Sequence, residues 1–296
     1  MDKSRISFHD QISSNKWKSF LLISFIFIIL IILGYFISFA FPKVDFFFIM
    51  TISVIISIGY ILISYYNSDK IALMSVNAKE ADPREYRQLY NTVEGLTLAS
   101  GMPMPKVYVM HQEQINAFAS GRDPKHSVIC VTDGAIQKLN KQELEGVLGH
   151  ELSHIANYDI RFMTITAVMV GMIAIISEIF LRSMWMKGNS RDDNKSGAVL
   201  MIIGLVLAIL APIVVQLVQL AISRRREYAA DASSVKFIRS PTGLIGALKK
   251  IKNDNPMRVP KAVAPLFLSD PLKRRIEGLM STHPPIDSRI KILERM

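Results

Sequence analysis

Asn140-Lys-Gln-Glu-Leu-Glu-Gly-Val-Leu-Gly-His150-Glu151-Leu-Ser-His154-Ile-Ala-Asn-Tyr-Asp159 is the stretch whose reading decides the rest of the chain. It predicts a helix with a defined start. Asn140 suits an N-cap, and Glu143, three residues on, can reach back to the cap amide. Leu144, Val147, Leu148, Leu152 and Ile155 recur at helical spacing and make an apolar face. His150 and His154 stand at i and i+4, so both imidazoles leave one side of the helix and can hold one metal ion. Glu151 follows the first histidine directly, placed to act as general base on a water activated by that metal without being a ligand. The bland alternative is two hydrogen-bonded histidines and a solvated glutamate on an ordinary amphipathic helix. What separates the two is a third ligand.

Working outward, the composition points to a membrane. The 296 residues are 50% hydrophobic and 20% charged, with a formal net charge of +10, and the mean hydropathy is +0.28. Four apolar runs, 20–41, 46–66, 162–181 and 198–222, are each long enough to cross a bilayer as a helix. The first has too long a core for a signal peptide, and a second run follows almost at once, so it reads as a retained span. The positive charge flanks these runs, which fits anionic lipid and membrane orientation rather than nucleic acid. The single cysteine, Cys130, excludes an intrachain disulfide and any multi-cysteine metal site. Its place in an apolar run, residues 127–131, makes it a small core residue.

Lysine and arginine at the span ends give an orientation. Lys3, Arg5, Lys16 and Lys18 precede the first span; Lys70, Lys79 and Arg84 follow the second; Arg161 precedes the third; Arg224, Arg225 and Arg226 follow the fourth. Against them stand Lys43 in one connecting loop and Arg182, Lys187, Arg191 and Lys195 in the other. The majority places both termini and the polar region between spans two and three in the cytoplasm.

Residues before Lys18 read as a cytoplasmic tail or a short interfacial helix, without assignable chemistry. Asp82-Pro83-Arg84-Glu85 is expected to start a helix that Gly101, Pro103 and Pro105 stop. Three strands are expected at 106–110, 116–119 and 127–131, making a small sheet whose edge can take an extended substrate. Thr132-Asp133-Gly134 reads as a turn leading to the metal helix.

Zinc catalysis needs three protein ligands and one open position. His9, His111, His126 and His283 remain as candidates, but Glu227 is the stronger one. The metal helix leads into the third span, and the fourth returns to the same side just before Glu227. At about 1.5 Å per residue both stretches lie roughly 8 to 12 Å from one membrane surface. Asp231, one turn after Glu227, is placed to accept a proton from a ligand histidine and fix its tautomer.

Asn116-Ala-Phe-Ala119, the stretch from Glu143 to Asn157 with Asp159 beyond it, Arg226-Glu-Tyr-Ala-Ala-Asp231 and Thr282-His-Pro-Pro-Ile-Asp-Ser-Arg289 together resemble the HtpX family of membrane zinc metallopeptidases, relatives of the Ste24 CAAX prenyl protease. The resemblance implies one zinc on His150, His154 and Glu227, with Glu151 as general base. It further implies quality control of membrane proteins in a bacterial cell membrane, with the site facing the cytoplasm. His283 and Arg289 match a motif that either helps bind the reacting carbonyl or packs the C-terminal part.

The expected fold is a mainly α integral membrane protein: four transmembrane helices plus a cytoplasmic α+β zincin-like domain with a small sheet. Residues 1–66 would carry the tail and two spans, 67–161 the catalytic region with the metal helix, 162–222 a membrane hairpin, and 223–296 the helical part supplying the third ligand. The expected partners are protein substrates, membrane proteins among them, and the lipid bilayer, with no nucleic acid.

Overall fold

The computed structural model describes residues 8–40, 44–167, 204, 224–260, 263–269, 271 and 284–296. Most of the expected hairpin 162–222, the loop 187–197 and His283 therefore lie outside the described residues.

Two long helices open the chain, α1 (Phe8–Ala40) and α2 (Phe46–Tyr66). The second matches the expected span, and the Asp45 carboxylate caps it by accepting from the Phe48 amide. The first starts well before the expected span. Its 33 residues give a helix of about 50 Å, longer than the hydrocarbon core of about 30 Å requires. The expected tail is thus helical from Phe8. Ile55, Ile56 and Ile63 on α2 are 63%, 62% and 62% exposed. Such a surface is unfavourable in water and suits lipid. Two helices, across Ile12–Ile32 and Phe46–Tyr66, have the length and apolarity to cross a membrane.

A short helix α3 (Ser68–Ser75) leads to the sheet. Its strands are β1 (Lys79–Glu80), β2 (Lys106–Met110), β3 (Ala117–Asp123) and β4 (His126–Thr132), in the order β1-β2-β4-β3. Only the β2–β4 pair is parallel. Between β1 and β2 lies α4 (Arg87–Ser100), closed by Gly101 in the left-handed conformation at φ 70°. It begins later than expected, because the Asp82 side chain accepts from the Arg84 amide and holds residues 83–86 in turns. Two-residue β1 was not anticipated; it carries too little alternation to register. The expected turn at Thr132 is a helix start: the Thr132 hydroxyl caps α5 (Asp133–Lys138) by accepting from the Ala135 amide.

Alternation along the strands sorts the core into two layers. Val107, Val109, Ile129 and Val131 pack with Leu89, Val93 and Leu96 of α4 and with Leu144, Leu148, Leu152 and Ile155 of the metal helix α6 (Lys141–Ala156). Val128, Cys130 and Phe118 face the other way, onto Ala72 and Leu73 of α3 and onto Val263, Leu266 and Phe267. That last segment also covers the start of β3. The Leu268 amide donates to the Ala117 carbonyl at 2.9 Å, and Phe267 bridges to Phe118. The sheet edge expected to take substrate is therefore covered by the chain itself over these residues.

Beyond the metal helix come a helical stretch at 159–167, α7 (Arg224–Ile238), α8 (Thr242–Lys252), a 3-10 turn (Ala264–Leu266) and α9 (Ile286–Leu293). α6 is sandwiched between the sheet and the pair α7 and α8. The approach is close because Gly146 and Gly243 carry no Cβ; one added to Gly146 would lie 2.4 Å from the Leu244 nitrogen.

Candidate metal centre

The geometry of the site follows from α6. Its start has the full capping box: the Asn140 side chain accepts from the Glu143 amide at 2.9 Å, and Glu143 Oε2 accepts from the Asn140 amide at 2.8 Å. The helix then runs unbroken through both histidines, which places their rings edge to face with centroids 4.8 Å apart. α7 lies alongside, fixed by the Ser234 hydroxyl on the Gly146 carbonyl at 2.9 Å. This packing brings in Glu227. Its carboxylate oxygens lie 3.6 Å from His150 Nε2 and 3.7 Å from His154 Nε2, and the two Nε2 atoms are 3.2 Å apart. All three side chains are buried.

Each histidine is oriented from behind. His150 Nδ1 meets Asp231 Oδ1 at 2.9 Å, and His154 Nδ1 meets Asp159 Oδ2 at 3.0 Å. An ionised carboxylate only accepts, so both Nδ1 atoms carry the proton and both Nε2 lone pairs face each other. Opposed lone pairs beside a carboxylate are what a cation relieves. Around an ion with bonds of about 2.0 to 2.1 Å, tetrahedral ligand atoms stand roughly 3.3 Å apart, close to the spacings here. The donor set therefore fits a divalent metal.

The electrostatics run against a free Nε2 lone pair on His150, since they favour a second proton that a metal would have to displace. Burial and the Arg289 charge work to lower the His150 pKa, but hydrogen bonds to Asp231 and Glu227 outweigh them and push it up to about 9. Burial works to raise the Asp231 pKa, yet the Arg289 guanidinium and the His150 ring hold it at about 2. Glu151 is 1% exposed, and neither carboxylate oxygen has a hydrogen-bond partner among the described residues. Burial raises its pKa; the two histidines oppose this, and the Ala119 amide favours the anion electrostatically from nearby. A buried carboxylate beside the ligand atoms is otherwise costly and is suited to a reactive role.

Residues 83–296 match Peptidase family M48. The chain belongs to peptidase family M48. It is 50% identical over 243 residues to the "Protease HtpX homolog" of Caldanaerobacter subterraneus subsp. tengcongensis, covering 80% of this chain and 81% of that one. The homologue from Thermoanaerobacter pseudethanolicus is 45% identical over 302 residues, covering 99% of each chain. The crystal structure of S. mikatae Ste24p aligns with 96% of the chain at 20% identity and a TM-score of 0.48; the chain spans 66% of that protein. This M48 protein is thus a membrane-associated metalloprotease.

Two residues of the M48 site, Asp159 and Arg289, have no firm role on sequence grounds. Asp159 was visible only as a residue beyond the helix. Asn157 ends α6 and Tyr158 takes a left-handed φ of 58°, so the chain doubles back and returns Asp159 to His154. Arg289 lies fully buried behind Asp231, with Nε on Oδ2 at 2.9 Å, Nη2 on Oδ1 at 2.6 Å and Nη1 on the Leu268 carbonyl at 3.0 Å. Of its two expected roles, the described contacts favour packing: it clamps the carboxylate that orients His150. The histidine candidates His111 and His126 sit exposed, paired with Asp133 and Asp123.

Proposed function

We propose that this metalloprotease is a zinc-dependent endopeptidase in which His150, His154 and Glu227 hold one ion, Asp231 orients His150, and Glu151 is the general base. The observation that carries the proposal is the convergence of three ligand atoms within 4.8 Å beside the buried Glu151 carboxylate. A bound zinc would supply Lewis acidity, making a water acidic and a carbonyl electrophilic at neutral pH. Glu151 takes the proton from the attacking water and passes it to the leaving amine. Asp231 and Asp159 keep both histidines in the Nδ1–H tautomer, so their Nε2 atoms stay available. Arg289 keeps Asp231 ionised in a dry site.

The substrates we propose are misfolded or selected membrane proteins, cleaved at a bacterial cell membrane by a site facing the cytoplasm. Four spans, with residues 162–222 crossing as a hairpin, fit the lysine and arginine bias. The decisive variant is Glu151→Gln in detergent-purified protein. Zinc should remain at about one per chain while cleavage of casein and of a membrane-protein reporter falls to background. Wild-type cleavage by this variant would refute the mechanism.

A further inference from the structure

The buried polar groups of the metal site do not end with Asp159. The second oxygen of that carboxylate, Oδ1, accepts a 2.7 Å hydrogen bond from Asn15 Nδ2, a residue 144 positions earlier on α1. The same amide nitrogen donates its other proton to the Asn157 carbonyl at 3.0 Å. Asn15 is 2% exposed and Asp159 is fully buried. Both protons of one carboxamide are thus spent on the two flanks of the turn that carries Asp159 back to His154. Lys16, the next residue, stands over the Tyr158 ring at 4.4 Å, on the apex of that turn.

We infer that Asn15, on the first membrane helix, is a positioning residue of the metal site, acting on His154 through the Asp159 carboxylate. The inference rests on His154 being a ligand. Three features carry it. A left-handed Tyr158 is an uncommon backbone state for a bulky residue and needs outside support to persist. A ligand histidine is held no better than the carboxylate behind it. And among the described residues Arg226 Nη1 stands 4.0 Å from Oδ1, beyond hydrogen-bond range, while Asn15 supplies a short contact there. The apolar helix is thereby a structural member of the catalytic centre as well as an anchor.

The test uses the full chain in detergent and zinc itself as the probe. Zinc affinity is measured by chelator competition for wild type, Asn15→Leu, Asp159→Ala and the double variant, with the absorption spectrum of cobalt-loaded protein as a second readout of ligand geometry. Asn15→Leu should weaken zinc roughly 10-fold, the lower end for loss of a supporting partner, and should alter the cobalt band. In the Asp159→Ala background the same change should add less than about 2-fold, because the path through Asp159 is already cut. Ser19→Ala is the control: Ser19 is buried one turn along α1, but among the described residues its hydroxyl bonds only the Asn15 carbonyl, and this variant's zinc affinity should stay at wild type. Unchanged affinity and spectrum in Asn15→Leu would overturn the inference. So would an equal loss with and without Asp159, since that marks general undocking of α1. His154→Ala runs alongside: if it keeps zinc, the ligand reading itself falls, and the inference with it.

Discussion

Glu227 sits in the first turn of α7, within 4 Å of both histidine Nε2 atoms and 3.8 Å from Arg289 Nη1. Its position is fixed by two packed helices rather than by its own flexibility, so side-chain length matters. Glu227→Ala should strip zinc and activity while leaving membrane insertion intact, because two ligands from one helix hold the ion weakly. Glu227→Asp should recover little, since its carboxylate ends about 1.5 Å short of a site held to within about 0.5 Å. Metal analysis after gel filtration reads both. If His283→Ala removes zinc while Glu227→Ala keeps it, three histidines form the site instead. At this scale the sequence was readable where chemistry imposes local spacing: His150, Glu151 and His154 declare themselves on one helix. Asn15 did not, because a lone asparagine beside an apolar run has no period and its partners are about 140 residues away.

Among the elements, the contact that most constrains the site is the crossing of α6 over the start of α8. A Cβ on Gly146 would lie 2.4 Å from the Leu244 nitrogen and 2.7 Å from its Cα, and one on Gly243 would lie 2.1 Å from the Gln142 carbonyl oxygen. These obstacles are backbone and cannot swing aside. Gly146→Ala should therefore lower stability by about 1 to 3 kcal/mol, the usual cost of overpacking. Gly95→Ala on α4 should have the opposite sign, a gain of about 0.5 to 1 kcal/mol, since its Cβ meets nothing within 4 Å. Thermal unfolding in detergent distinguishes the two, and a destabilised Gly95→Ala would contradict this packing account. Elements with a strong local code were legible: the capping box of α6, the left-handed Gly101 and the apolar run of α2. The boundaries that shifted were governed by single side chains. Asp82 turns the backbone before α4 can begin, and the Thr132 hydroxyl converts an expected turn into a helix start.

On the scale of the whole molecule, the catalytic part and the membrane helices form one packed body. Leu22 and Ile26 of α1 share a buried cluster with Phe162 and Ile165 and with Tyr60, Ile61 and Tyr65 at their edge. Arg161, in the helical stretch 159–167 that leaves the metal helix, stands over the rings of Tyr65 and Tyr158 and donates to the Arg122 carbonyl at 2.7 Å. Arginines held against aromatic rings at this level suit the interface between headgroups and water. The stretch 159–167, beside the site, is also joined to α1, packing on Leu22 and Ile26 through Phe162 and Ile165. In the topology we propose, the lysine and arginine bias puts the site on the cytoplasmic side. A green fluorescent protein fused after Met296 should fluoresce, while reporters placed at Lys43 and Asn189 should register outside the cell. A cytoplasmic signal at Asn189 would mean that 162–222 dips into the membrane without crossing, which leaves the contacts of α6 with α7 intact but removes the hairpin that was expected to join them. An extracytoplasmic Met296 would reverse the orientation altogether, and with it the compartment from which substrates reach Glu151.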